Sequence, residues 1–323
     1  MSLTLRMAML IGILFGILYV IVSIFMKAMG VTSFYMYVVF AFVIMFIQYF
    51  IGPKIVEMTM RIRYIKKQDY PWLYDMVADL SHRAKIPMPK IGISAMAVPN
   101  AFAFGRSLAD GRVCVTSAIM QLLDRDELKA VIGHEISHLK NRDVLFITFL
   151  SVIPLILYRL FFHLMFFGSF SRRREGGAYT VLLALAAFIF YFITNLLVLY
   201  ASRIREYFAD RGSIALGNSP SALATALYKL VYGAARVPKE KLREMEGLKA
   251  FFLNDVSKAR TEIRDLAQLD LDRSGTIDPD ELRVLRSKEI KLATGDKLME
   301  ILSTHPNMLK RIKHLSQCGR GIH

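Results

Sequence analysis

His134 and His138, separated by three residues and with Glu135 directly after the first, are the strongest candidates for chemistry in this chain. On a helix turning about 100° per residue, the two imidazoles stand about 40° apart and one turn along, so both reach a single ion. Glu135 falls about 60° from His138, beside that ion rather than on it. Zinc takes neutral imidazole nitrogens at about 2.0–2.1 Å in a tetrahedral array with one open position. A carboxylate beside such an ion accepts a proton from a water that the ion makes acidic. Further ligands must come from elsewhere, and Arg205-Glu206-Tyr207-Phe208-Ala209-Asp210 offers them. Glu206 and Asp210 share one helix face. One of them can bind the metal while the other accepts a hydrogen bond from a ligand histidine's free N–H.

A second oxygen-rich pattern lies at residues 270–281. Asp270, Asp272, Ser274 and Asp278 occupy positions 1, 3, 5 and 9 of a twelve-residue EF-hand loop. Gly275 stands at position 6, Thr276 at 7, the β-branched Ile277 at 8 and Glu281 at 12. Such a loop supplies hard oxygen donors suited to Ca²⁺. Helical segments are expected on both sides, over about 255–268 and 280–288. EF-hands normally pair, and the sequence holds no second loop.

The elements that must position these groups belong to a membrane protein. The 323 residues are 54% hydrophobic, with a mean hydropathy of +0.38, which excludes a purely soluble chain. Residues 7–26 and 31–53 carry no formal charge, and each matches the ~20 residues that span a ~30 Å hydrocarbon core. They are expected to form an uncleaved hairpin. Residues 176–202 are also uncharged, whereas 144–170 contain Pro154, Arg159 and His163, each awkward against lipid. Lys54, Arg61, Arg63, Lys66 and Lys67 follow the second segment, and Arg203, Arg205 and Arg211 follow the fourth. Basic residues mark the cytoplasmic side, so both long polar regions are expected there, in a multi-pass protein of the cell membrane. Arg172, Arg173 and Arg174 oppose this. Either the rule is broken at that link, or segments three and four form a shallow hairpin. The net charge of +15 flanks hydrophobic segments, where lipid headgroups account for it, so nucleic acid is not an expected partner. Two cysteines, Cys114 and Cys318, are too few for a disulfide framework.

Between the apolar segments, residues 66–85 have helical spacing, and Pro71 sits where a first turn tolerates it. Short apolar runs at 91–93, 101–104 and 113–115 read as a small antiparallel sheet. Asp124 then opens a helix with Glu127 completing a capping box, and the helix is expected to reach Lys140. The expected organisation is a transmembrane hairpin over 1–53, half of a catalytic domain over 54–143, and a second hydrophobic hairpin over 144–202. The other catalytic half covers 203–254, an EF-hand-like insertion 255–290, and a closing segment 291–323.

His134-Glu135-x-x-His138 with Glu206-x-x-x-Asp210 resembles the membrane-bound zinc metallopeptidases of the HtpX and CAAX-prenyl-protease (Ste24) superfamily, and HtpX most nearly. The resemblance continues through Val98-Pro99-Asn100-Ala101-Phe102-Ala103-Phe104-Gly105, Ser137-His138-Leu139-Lys140-Asn141-Arg142-Asp143 and Ser303-Thr304-His305-Pro306. It implies a mainly α, integral-membrane fold: a gluzincin-like helical zinc core, a small antiparallel sheet and two hydrophobic helical hairpins. It implies one Zn²⁺ per chain on His134, His138 and Glu206, Glu135 as general base, and Asp210 behind a ligand histidine. Asn100, Ala101, Phe102 and Ala103 are similar to the edge strand that holds substrate backbone. His305 and Arg311 match an element placed near the zinc, where such groups steady the oxyanion. The sequence departs from that element at Asn307, where relatives carry a second proline, and by the EF-hand-like insertion. The implied function is hydrolysis of peptide bonds in misfolded or damaged membrane proteins at the lipid bilayer. The alternative is a calcium-responsive membrane adaptor with a structural or inactive metal site.

Overall fold

The computed structural model describes residues 46, 50–167, 177–235, 263, 266, 269–272, 274–288, 290 and 294–318. Most of the first expected hairpin, the arginines at 172–174 and most of the helix expected over 255–268 lie outside these residues. The chain divides into two compact units, 1–52 with 145–204 and 53–144 with 205–323.

The second unit carries the candidate chemistry. It opens with strand β1 (Ile62–Tyr64) and helix α1 (Pro71–Ala84). Proline at the first turn starts α1, Leu73, Val77, Leu80 and Ala84 give it one buried face, and Lys85 ends it in the left-handed region at φ 57°. Strands β2 (Lys90–Ser94), β3 (Ala101–Phe104) and β4 (Arg112–Thr116) follow. The four strands lie in the order β1-β2-β4-β3.

This sheet is mixed, which corrects the antiparallel expectation. β2 runs parallel to β4, with Lys90 opposite Arg112 and Ser94 opposite Thr116. β1 and β3 pair antiparallel with β2 and β4 respectively. The short link after β2 looks like a hairpin turn in the sequence, but β3 is laid beyond β4. Residues 95–111 thus act as the crossover that a parallel pair requires. β3 becomes an edge strand. Thr116 Oγ1 anchors both its start and the next helix, accepting N–H bonds from Asn100 at 2.9 Å and Ile119 at 3.2 Å.

After the short helix α2 (Ser117–Leu122) comes α3 (Arg125–Lys140), whose capping box is complete: Asp124 accepts from Glu127 N–H and Glu127 accepts from Asp124 N–H. Glu127 also takes a salt bridge at 2.6 Å from Lys229 of α6 (Pro220–Ala235), which fastens α3 to that helix. Leu128, Val131, Ile132 and Ile136 bury the inward face of α3, each contributing about 1.5–3 kcal/mol. Helices α7 (Pro279–Ser287), α8 (Thr294–Ile301) and α9 (Met308–Cys318) complete the unit. Asn307 caps α9, its Oδ1 accepting Leu309 N–H at 2.9 Å.

The first unit contains most of helices α4 (Asp143–Phe167) and α5 (Gly177–Ala215). Both are long and apolar enough to cross a membrane. They pack through Leu160, Leu164, Ala184 and Ala187, while Val181, Leu182, Leu185, Ile189 and Phe192 stay exposed. Pro154 lies inside α4 without ending it, and Arg159 is exposed. α5 continues unbroken past residue 202 to Ala215. Glu206, the expected third ligand, therefore lies on the same helix as the apolar stretch.

Within the second unit, α3 and the end of α5 approach closely enough that only glycine fits between them. A Cβ on Gly212 would lie 2.6 Å from Ser137 Cβ, and one on Gly133 would lie 2.9 Å from Ser213 Oγ. Gly212→Ala is expected to lower stability by about 1–3 kcal/mol through overpacking. Gly295→Ala, where a Cβ meets nothing within 4 Å, is expected to raise it slightly. Thermal unfolding of the two variants in detergent checks both signs.

Candidate metal centre

Helix α3 presents His134 and His138, and α5 presents Glu206 and Asp210. All four side chains are buried except His138, which is slightly exposed. The histidine Nε2 atoms lie 3.0 Å apart. Glu206 Oε2 lies 3.5 Å from His134 Nε2, and Glu206 Oε1 lies 3.6 Å from His138 Nε2. A tetrahedral shell at about 2.0–2.1 Å has ligand-to-ligand edges of about 3.3–3.4 Å, so this triangle has the size zinc demands. Glu206 Oε2 is also buried, with Arg311 Nη1 3.0 Å away on one side, and a carboxylate oxygen so paired keeps a lone pair for an ion. The residues present therefore fit a zinc ion.

Both remaining imidazole nitrogens are taken by carboxylates. His134 Nδ1 lies 2.9 Å from Asp210 Oδ1, and His138 Nδ1 lies 2.6 Å from Asp143 Oδ2. Such contacts fix Nδ1 as the protonated nitrogen of each ring and leave Nε2 to face an ion. Asp210 is legible from its helical spacing to Glu206. Asp143 stands in the sequence only as the last residue of the Ser137–Asp143 motif, because a residue just beyond the end of α3 gives no periodic signal. What brings Asp143 back is the tight turn after α3, in which Arg142 adopts φ 55°. Arg205, counted among the basic residues that vote on topology, ion-pairs with Asp143 and donates to the Asn141 carbonyl at 3.1 Å.

Arg311, from α9, is fully buried between the carboxylates. Its Nε and Nη2 donate to Asp210 at 3.0 and 2.6 Å, and its Nη1 reaches Glu206 Oε2 at 3.0 Å. The guanidinium is thus committed to acidic side chains. His305 lies beside the ligands, its Nδ1 3.3 Å from Glu206 Oε1. Its buried ring nitrogens make no hydrogen bond of proper geometry among the described residues.

Burial pushes the Glu135 carboxyl above its ordinary range, opposed by the charge of the two imidazoles and a hydrogen bond from Ala103 N–H. Ala103 belongs to β3, so the edge strand lies against the candidate base. Burial works against a charge on His134, but the hydrogen bonds to Asp210 and Glu206 outweigh it and raise the imidazole to about 9. Burial and the neighbouring His134 depress His138. Burial also disfavours the Asp210 anion, yet Arg311 and His134 hold that carboxyl down at about 2.

The second pattern also comes together. Ligand oxygens of Asp270, Asp272 and Glu281 lie within 4.8 Å of one another. Asp270 accepts N–H bonds from Ser274 and Gly275, both at 2.9 Å, and Gly275 has φ +80°. The Ser274 and Thr276 hydroxyls lie 2.8 Å apart, and Asp278 caps α7. Tyr228 and Thr225 of α6 hold the loop, through Asp270 at 3.0 Å and the Ile277 backbone at 2.9 Å.

Residues 67–318 match the model of a family described as peptidase family M48. A protein named protease HtpX homolog from Methanothermobacter thermautotrophicus is 48% identical over 230 residues, covering 71% of this chain and 86% of the relative. Protease HtpX homolog 2 of Methanosarcina acetivorans is 36% identical over 273 residues, covering 84% and 80%. The crystal structure of S. mikatae Ste24p resembles the fold with a TM-score of 0.50 at 16% identity, covering 97% of this chain and 64% of that one. The adaptor alternative has no counterpart in these comparisons.

Replacing Arg311 by Met removes the cation between two buried carboxylates. The metal-free variant is expected to lose about 3–5 kcal/mol. Denaturant unfolding with and without zinc measures this, and zinc is expected to restore part of the loss.

Proposed function

The chain belongs to peptidase family M48, and on that premise we propose that it is a membrane-bound, zinc-dependent endopeptidase. The observation that carries the reading is the buried His134–His138–Glu206 triangle, with both histidines backed by carboxylates and Glu135 on the same helix. One Zn²⁺ held there supplies a Lewis acid that polarises the scissile carbonyl and acidifies a water.

The remaining steps belong to the chain's own residues. Glu135, made more basic by burial, takes a proton from the attacking water and passes it to the departing amide nitrogen. β3 receives an extended stretch of substrate at its open edge, in register with Ala101–Phe104, while Asn100 ties the strand's start to Thr116. Asp210 orients His134. His305 steadies the oxyanion, while Arg311 holds Asp210 and Glu206 in place rather than touching substrate.

The two apolar helices support residence in the cell membrane, with the catalytic unit on the cytoplasmic side. Misfolded or damaged membrane proteins are the substrates that an anchored peptidase of this kind meets first. The loop at 270–281 binds Ca²⁺ through Asp270, Asp272, Ser274, Thr276, Asp278 and Glu281. This rests on its donor pattern and on the convergence of three carboxylates.

Two measurements test these readings. Purified zinc-loaded chain in detergent is expected to cleave casein, and Glu135→Gln to retain one zinc while cleaving about 10²–10⁴ times more slowly. Equal cleavage by both would refute Glu135 as the base. Calorimetric titration with calcium is expected to show one site, weakened at least about tenfold by Glu281→Gln, which removes the bidentate donor. Absence of calcium heat in the unaltered chain would remove the loop assignment and leave the peptidase reading intact.

A further inference from the structure

The two ligand histidines are supported by parallel chains of residues. His134 is held by Asp210, and Asp210 by Arg311. His138 is held by Asp143, and Asp143 by Arg205. The second chain joins elements far apart in sequence. Asp143 opens α4, directly after the turn that ends α3, whereas Arg205 sits in α5 next to the ligand Glu206. Asp143 is 6% exposed, so its charge has little water to lean on and needs Arg205. The Arg205 Nη2 that pairs with Asp143 also donates to the Asn141 carbonyl at 3.1 Å, so one nitrogen bridges both ends of the turn.

We infer that Asp143 and Arg205 are positioning residues for the metal: Asp143 sets the ring orientation and tautomer of His138, and Arg205 locks Asp143 to the helix that carries Glu206. The inference rests on the reading of His134, His138 and Glu206 as metal ligands. In this arrangement the His138–Glu206 side of the ligand triangle is set by the Arg205–Asp143 pair. The His134 side is set separately, by Asp210 and Arg311. Loss of Arg205 therefore loosens one side of the site and leaves the other in place.

The test uses the full chain in detergent, stripped of metal and titrated with zinc against a chromophoric chelator, and in parallel with Co²⁺ read by its visible absorption. Zinc affinity is expected to fall about 10–100-fold in Asp143→Ala, and less in Asp143→Asn, which keeps an oxygen acceptor without the charge. Arg205→Met is expected to fall similarly, and Arg205→Lys to recover part of the loss. The Co²⁺ band is expected to shift in Asp143→Ala and Arg205→Met, because His138 no longer holds its angle. Arg205→Met leaves Asp143 in place, so it carries the test even if Asp143→Ala does not fold. Wild-type affinity and an unshifted band in folded Asp143→Ala and Arg205→Met would overturn the inference while leaving the metal site standing. Failure of the unaltered chain to bind either ion would instead overturn the metal reading itself, and this inference with it.

Discussion

Arg311 is the one side chain on which the rest of the site depends. Glu206 and Asp210 are both withdrawn from water on one face of α5, and two carboxylates so close together repel in a medium that screens poorly. A fully buried guanidinium satisfies both at once, with two nitrogens on Asp210 and one on Glu206. Its planar fork matches this arrangement in a way that a lysine ammonium does not. The amphipathic face of α9, through Leu309, Ile312 and Leu315, holds the arginine there. The C-terminal helix is therefore part of the candidate metal centre although it supplies none of the three candidate ligands.

A second constraint is distance. Histidines on α3 and a glutamate on α5 form a triangle of zinc size only if the two helices approach more closely than ordinary side chains permit. Gly212 against Ser137, and Gly133 against Ser213 and Asn218, provide that approach. The Glu127–Lys229 bridge fixes the other end of α3, and its capping box fixes where the helix begins. With its start and packing distance both set, α3 has little freedom to rotate its histidines away from Glu206.

Some of this was legible from spacing because helix periodicity is local. The capping box at Asp124 and Glu127, the helix ending near Lys140, and the shared face of Glu206 and Asp210 all follow from 3.6 residues per turn. The sheet was harder to read. Three short apolar runs separated by turn residues look like hairpins, since nothing within β2, β3 or β4 reveals that β3 lies beyond β4. Strand order is decided by which edges the rest of the core leaves available. β1 escaped notice because three residues, two of them exposed, carry no pattern.

The sequence by itself determined the chemistry on offer: two imidazoles one helical turn apart with a carboxylate beside the first, a pair of acids four residues apart, and apolar stretches too long for a soluble core. Those are properties of neighbouring residues, governed by helix geometry and hydrophobicity. Only the tertiary structure decided how distant residues are used. It placed Arg311 on Asp210 and Glu206, brought Asp143 back onto His138, and turned Arg205 from a topological marker into a clamp. The physical reason is that a buried charge must find its partner in space, and the chain reaches that partner from whichever element packs beside it. No spacing rule within one helix records that choice.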